Sequence, residues 1–250
     1  MSNLPSLTDL LQAGAHFGHK TSKWHPKMKP FLFGHRHGVH IIDLEETRKA
    51  LEKAMAFAKS TTQRGGLVLF VGTKKQAASI VEREAKAASM PYVNNRWLGG
   101  TLTNFSVIVQ QIRKLKDLKR KQERGELAKY TKLEQLRFSE EIESLEESVG
   151  GIQELTRIPE AVFILDVRKD KTALEEARRR GVKIIAVCDS NVNPNLVDFG
   201  IPANDDAVKA IELVAKLMAE ACKEGHAEWE AARARLGAAL VQPAAPMRRN

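Results

Sequence analysis

An α/β fold built on a parallel sheet is predicted from three observations. Residues 67–71, 161–165 and 183–188 are short, almost uniformly apolar runs of strand length, the pattern of strands covered on both faces. Amphipathic stretches of helical period follow the first two, at residues 76–88 and 171–180. Gly65-Gly66 and Gly72-Thr73 punctuate the first unit where turns are needed. Strands alternating with helices in this way give a Rossmann-like or flavodoxin-like core with helices on both faces of the sheet.

Taken in order, residues 6–15 carry a short helical signal, and a loop punctuated by Gly, His and Pro leads to Val39-His40-Ile41-Ile42, a predicted strand. Residues 46–63 place Leu51, Met55 and Ala58 at helical spacing, and Gly65-Gly66 ends that helix. The strand at 67–71 follows, and Gly72-Thr73-Lys74-Lys75 opens the next helix.

Residues 103–150 carry no strand signal. Ile108, Ile112, Leu115 and Leu118 form one narrow apolar seam, and Leu133, Leu136, Ile142, Leu145 and Val149 form a second, with Gly125 between them. Narrow seams suit an antiparallel, coiled-coil-like helical hairpin inserted into the core. Residues 113–132 hold nine basic and three acidic residues, whereas 133–150 hold six acidic and one basic. Folded together, the helices would be electrostatically complementary. Beyond the second half of the core, residues 205–223 and a further stretch to about 240 read as helix, and the Pro- and Ala-rich 242–250 with Arg248 and Arg249 reads as a disordered tail.

The domain organisation expected is an α/β core of residues 1–103 plus 151–225 with a basic loop at 10–42, a helical insertion at 104–150, and a helical extension and tail at 226–250. Two cysteines 34 positions apart, Cys188 and Cys222, offer neither a metal spacing nor a disulfide framework, as in a reducing compartment. With no apolar stretch near 18 residues and no leader pattern, a cytoplasmic protein without membrane contact is expected. Forty Lys and Arg against 31 Asp and Glu, a net charge of +9, point to a phosphate-bearing partner.

A parallel α/β sheet invites a nucleotide enzyme, but neither G-x-G-x-x-G nor the Walker spacing is present. Gly72-Thr73-Lys74-Lys75 can meet an anion with backbone N–H groups, which suits Lys74 and Lys75 as anchors of a ribose-phosphate backbone. Asp166, Asp189 and Asp205 fall after strands or at a helix start, as catalytic carboxylates, cation ligands, turn residues or helix caps. No catalytic set, cofactor or small-molecule substrate is expected, and a nucleotide-binding enzyme is kept as the alternative.

Six of the seven histidines, His16, His19, His25, His35, His37 and His40, lie within 25 residues. Their spacings match no finger or H-E-x-x-H helix; a structural metal would take His19 with Asp189 and Asp205, and imidazoles stacking on bases or bonding phosphates are the preferred use. From Leu10 to Ile42 there is no acidic residue, while Lys20, Lys23, Lys27, Lys29 and Arg36 alternate with Phe17, Trp24, Phe31 and Phe33. Fixed positive charge follows a phosphate backbone and aromatic faces accept unstacked bases, so Trp24, His25 and His37 join the cations as RNA-contact candidates. Pro26 and Pro30 lower the ordering cost. A second cluster, residues 92–105, offers Asn94, Asn95 and Arg96 beside Gly99-Gly100, either as contacts or as a rigid hinge around a buried Trp97. The basic insertion helix adds Arg113 and Lys114.

These residues carry a resemblance. Ala13-Gly14-Ala15-His16-Phe17-Gly18-His19, Trp24-His25-Pro26-Lys27-Met28-Lys29-Pro30, His40-Ile41-Ile42-Asp43-Leu44, residues 69–76, Arg96 to Phe105, and Ile201-Pro202-Ala203-Asn204-Asp205-Asp206-Ala207 occur in this order over about residues 4–222. They resemble the bacterial small-subunit ribosomal protein two family. The resemblance implies a flavodoxin-like core with a protruding coiled-coil hairpin and a place at the head–body junction of the small subunit. It also implies contacts to small-subunit ribosomal RNA and other small-subunit proteins, and a part in docking the largest of them. The ribosome is expected to be cytoplasmic, with a plastid ribosome as the alternative. His25 stands where the family usually has Asn, residues 152–159 lack the usual glycines, and the chain beyond Gly225 has no family pattern.

Overall fold

A computed structural model describes residues 4–240, so the tail predicted at 242–250 lies outside the described residues. The chain opens with helix α1 (Leu7–Gln12), whose capping box pairs Ser6 with Asp9. Three short strands follow, β1 (Phe17–Lys20), β2 (Leu32–Arg36) and β3 (Val39–Ile42). They form an antiparallel sheet in the order β1-β3-β2. The sequence pattern identified only the last of them and read the rest as loop. His37 and Gly38, at φ of 50° and 75°, make the reversal between β2 and β3, a left-handed pair of the kind that joins two-residue hairpins.

Helix α2 (Leu44–Gln63) starts on Asp43, which accepts from the Glu45 amide at 2.8 Å. The second sheet is then laid down by β4 (Val68–Val71), β5 (Tyr92–Val93), β6 (Ala161–Ile164), β7 (Lys183–Cys188) and β8 (Phe199–Pro202). All its pairings are parallel, in the order β5-β4-β6-β7-β8. Counted from its own first strand the order is 2-1-3-4-5, the doubly wound arrangement of the flavodoxin-like type. The two outer strands escaped the sequence pattern, because β5 is two residues long and β8 reads Phe-Gly-Ile-Pro, which resembles a turn.

Helices α3 (Lys75–Ala87), α6 (Lys171–Arg180) and α7 (Val208–Leu240) complete the layers. The uniformly apolar strands are explained by two separate cores. Phe70 and Phe163 point to one face with α2, α3 and α7, while Leu69, Val71, Val162 and Ile164 point to the other with α6 and the insertion. The rings of Phe70 and Phe163 meet edge to face at 5.2 Å and are fully buried, so truncating either would cost about 3–5 kcal/mol. Gly72 is required here by packing: a Cβ would lie 2.7 Å from Val81 Cγ2, so α3 rests directly on the strand end.

Between β5 and β6 the chain inserts α4 (Phe105–Glu123) and α5 (Lys132–Val149), which pack on one another. All four residues of the first predicted seam are buried. The second seam is corrected: Ile142 and Val149 are buried, but Leu133 and Leu136 are 60% and 55% exposed, since α4 does not cover the first turns of α5. Lys119 pairs with Glu146 at 2.6 Å and Lys114 with Glu141, so the segregated charges do meet between the two helices. Past residue 225, α7 continues as helix along α2. Lys59 bridges Glu224 and Glu228 at 3.1 and 2.9 Å, and Trp229 packs on Gly65, where a Cβ would come within 2.6 Å of the indole.

Candidate nucleic-acid interface

The N-terminal sheet is tied to the parallel sheet at several points. The His25 amide donates to Ser190 O at 2.8 Å, the His19 amide to Ser190 Oγ at 2.7 Å, and the Asn204 amide, just past β8, to Ala15 O at 3.1 Å. Met28 is fully buried in the core shared with β4 and β6, and Phe31 packs beside it. Gly18 lies so close to Ser190 that a Cβ would meet its Oγ at 2.8 Å. The segment is therefore a held surface, with its ordering entropy already spent.

From that surface Lys20, Lys23, Lys27, Lys29, Arg36 and His37 are exposed. Among the described residues, none of the four lysines or Arg36 forms an ion pair within 4.0 Å. Phe33 is 81% and Phe17 50% exposed, whereas Trp24 is half-buried with its ring 5.1 Å from that of His40. His25 has an internal use: its Nδ1 accepts from the Lys27 amide at 3.2 Å and caps the turn that carries Lys27 and Lys29. Burial lowers the pKa of His16, which favours the neutral ring.

Behind this surface, at the carboxyl ends of β4, β6, β7 and β8, lies a polar cluster. His19 Nδ1 is 3.1 Å from Asp189 and its Nε2 3.6 Å from Asp206. Lys74 Nζ lies 3.1 Å from Asp166, 3.2 Å from Asp205 and 2.5 Å from Asp206, and donates to the Asp205 carbonyl at 2.9 Å. Burial opposes the charge on Lys74, but Asp206, Asp205 and Asp166 outweigh it and raise its pKa. Burial, reinforced by Asp166 and Asp189, pushes the Asp205 carboxyl up to about 7 despite Lys74. The hydrogen bond to Asp189 raises the pKa of His19 against its partial burial.

In doubly wound sheets ligands bind at the point where strand order reverses, outside the strand ends. Here that point lies between β4 and β6 and is lined by Asp166 and Asp170; Thr73 donates to Asp170 from its hydroxyl at 2.8 Å. A phosphate would face carboxylates there. Lys74, predicted as an RNA anchor, is engaged by Asp166, Asp205 and Asp206, while Lys75 is exposed. The predicted metal set is partly rearranged: His19, Asp205 and Asp206 bring ligand atoms within 4.8 Å of one another, with Asp189 on the other ring nitrogen of His19. The Lys74 ammonium supplies cationic charge to two of those three side chains.

Between β5 and α4 the chain is clamped by a residue the sequence did not single out. Glu176 accepts from Trp97 Nε1 at 3.1 Å, from the amides of Gly100, Leu102 and Thr103 at 2.7, 2.9 and 3.1 Å, and from the Thr103 hydroxyl at 3.1 Å. Burial works against its charge, and these donors more than offset it, holding the carboxyl below its ordinary pKa. Arg180, one turn on, donates to the carbonyls of Leu102 and Thr103 at 2.9 Å each. Trp97 is thus buried within this clamp. Asn94 donates to Glu82 at 3.0 Å and Asn95 to Glu147 at 3.4 Å, while Arg96 is exposed. On α4, Arg113 is exposed and Lys114 is paired with Glu141.

Comparison with known proteins bears on this arrangement. A family model described as Ribosomal protein S2 matches residues 10–225. A protein of Acidothermus cellulolyticus named small ribosomal subunit protein uS2 is 45% identical over 239 residues, covering 95% of this chain and 87% of its own length. One of the same name from Sorangium cellulosum is 47% identical over 219 residues, covering 88% and 79%.

Proposed function

The chain belongs to the ribosomal protein S2 family, whose members are structural and not enzymes, and from that premise we propose that it is a structural constituent of the small ribosomal subunit that binds small-subunit ribosomal RNA through the surface running from Lys20 to Arg36. One observation carries the reading: five fixed cations without ion-pair partners among the described residues stand on a segment anchored to the core. Such charges release counterions from a phosphate backbone at little ordering cost. Exposed Phe33 and Phe17 supply faces for unstacked bases. Lys75, Arg96, His37 and Arg113 extend the contact, with Trp24 and His25 shaping it. Lys74, Asn94, Asn95 and Lys114 act from behind, through the carboxylates they hold.

The core of residues 1–103 and 151–225 is read as the RNA-binding unit, the insertion of 104–150 as a projecting coiled-coil arm, and the stretch from 226 as an extension. A cytoplasmic ribosome, the place at the head–body junction and the docking of the largest small-subunit protein follow from the family reading. Co-sedimentation tests the proposal: the purified chain should travel with small subunits in moderate salt and be released as salt rises. Failure to co-sediment at low salt would overturn it.

A further inference from the structure

A cleft of about 990 Å³ runs between α5 and the edge formed by α3 and β5. Its charged lining is Glu82, Glu143, Glu146, Glu147 and Glu154 against a single cation, Lys86. Met90, Tyr92, Ile142 and Leu155 give it an apolar floor. This is the reverse of the chain as a whole, whose net charge is +9.

Three of the carboxylates have basic neighbours. Glu82 meets Lys86 at 2.6 Å, Glu146 meets Lys119 at 2.6 Å and Glu154 meets Lys116 at 2.9 Å. Glu143 and Glu147 have no basic partner among the described residues, and they stand one turn apart on α5, where like charges repel. Glu147 also falls in the last turn of that helix, which holds no basic residue. Negative charge there opposes the helix dipole. The wall is therefore electrostatically unfavourable as it stands, and a cation laid against it relieves both penalties. The flanking ion pairs are largely solvent-exposed and hold their lysines only weakly, so they can exchange for an incoming partner. A phosphate backbone is repelled by the same wall.

We propose that this cleft docks a lysine- and arginine-rich, amphipathic segment of a neighbouring small-subunit protein, basic side chains on the α5 carboxylates and apolar ones on the floor. The proposal rests on the small-subunit reading, and the experiment separates the two. Ser139, which lines the cleft from α5, is replaced by the photocrosslinking residue p-benzoylphenylalanine. The full-length chain is assembled into small subunits, sedimented and irradiated, and its adducts are mapped by mass spectrometry. The expected adduct is a Lys/Arg-rich segment of a ribosomal protein. Glu143→Lys should reduce it about tenfold or more through like-charge repulsion, without changing co-sedimentation. Crosslinking to RNA, to an acidic or uncharged protein segment, or to nothing in co-sedimenting particles would overturn the docking proposal alone. Loss of co-sedimentation by the unsubstituted chain would overturn the small-subunit reading and this proposal with it.

Discussion

Two stretches of this chain are rich in lysine and arginine, and they use that charge in opposite ways. In the N-terminal sheet, Lys20, Lys23, Lys27, Lys29 and Arg36 are exposed and form no ion pair among the described residues. On α4, Lys114, Lys116, Lys119 and Arg120 each meet a carboxylate, three of them on α5 or just beyond it. Lys74 is an extreme of the second kind, surrounded by Asp166, Asp205 and Asp206. A count of basic residues treats all of these alike, yet only the first group presents charge that a polyanion can neutralise without first displacing a carboxylate. On the proposed reading the contrast also separates what each lysine serves, RNA affinity in the first group and contacts within the fold in the second.

The largest effect that would sharpen the contrast is on stability. Lys74→Met leaves Asp166 and Asp205 buried without their counter-charge and should cost about 3–5 kcal/mol in denaturant unfolding. The salt slope of RNA binding by the folded fraction should stay the same. A change in that slope would move Lys74 into the outward-facing group. Next comes the triple replacement of Lys23, Lys27 and Lys29 by Gln. Near 0.1 M salt it should weaken RNA binding about 100-fold whatever the sequence, and reduce the slope of log K against log salt by about 3. Filter binding across a salt series measures both quantities. The smallest effect is expected from replacing Lys114 and Lys119 together by Gln. RNA affinity should fall by less than about threefold and stability by less than about 1 kcal/mol for each exposed pair. Should this double variant lose as much RNA affinity as the triple one, the distinction between free and paired cations collapses.

The central strands could be read from sequence because a strand buried on both faces leaves an unbroken apolar run, as in Leu69 and Val71 on one side with Phe70 on the other. β5 and β8 could not, because two residues make no pattern and Gly200 with Pro202 mimics a turn. The first two strands of the N-terminal sheet were hidden for a similar reason: they are four and five residues long, prolines and glycines flank them, and neither shows a clean alternation of buried and exposed positions. Within the candidate site, the charge of residues 20–36 was visible and its availability was not. Availability depends on partners remote in the chain, such as Asp205, 131 positions from Lys74. Glu176 was invisible for the same cause. It stands beside Glu175 in a helix that ends in three arginines and reads as a solvated face until Trp97, 79 positions earlier, is folded against it.

The insertion of α4 and α5 has a consequence in time. The middle of the parallel sheet is the pair β4–β6, and the contact beside it, from the Leu67 amide to Glu160, spans 93 positions. Closing so long a loop costs little more free energy than closing a short one, because the entropy grows only with the logarithm of length. The delay is another matter. At synthesis rates of about 5–20 residues per second, β4 waits roughly 5–20 s for its central partner to be made. Once β5 has been made, the four buried-type residues Val68 to Val71 have it for a neighbour on one edge and nothing on the other until β6 follows. The nascent chain is most exposed to mispairing there, and a shorter insertion would narrow that interval in proportion.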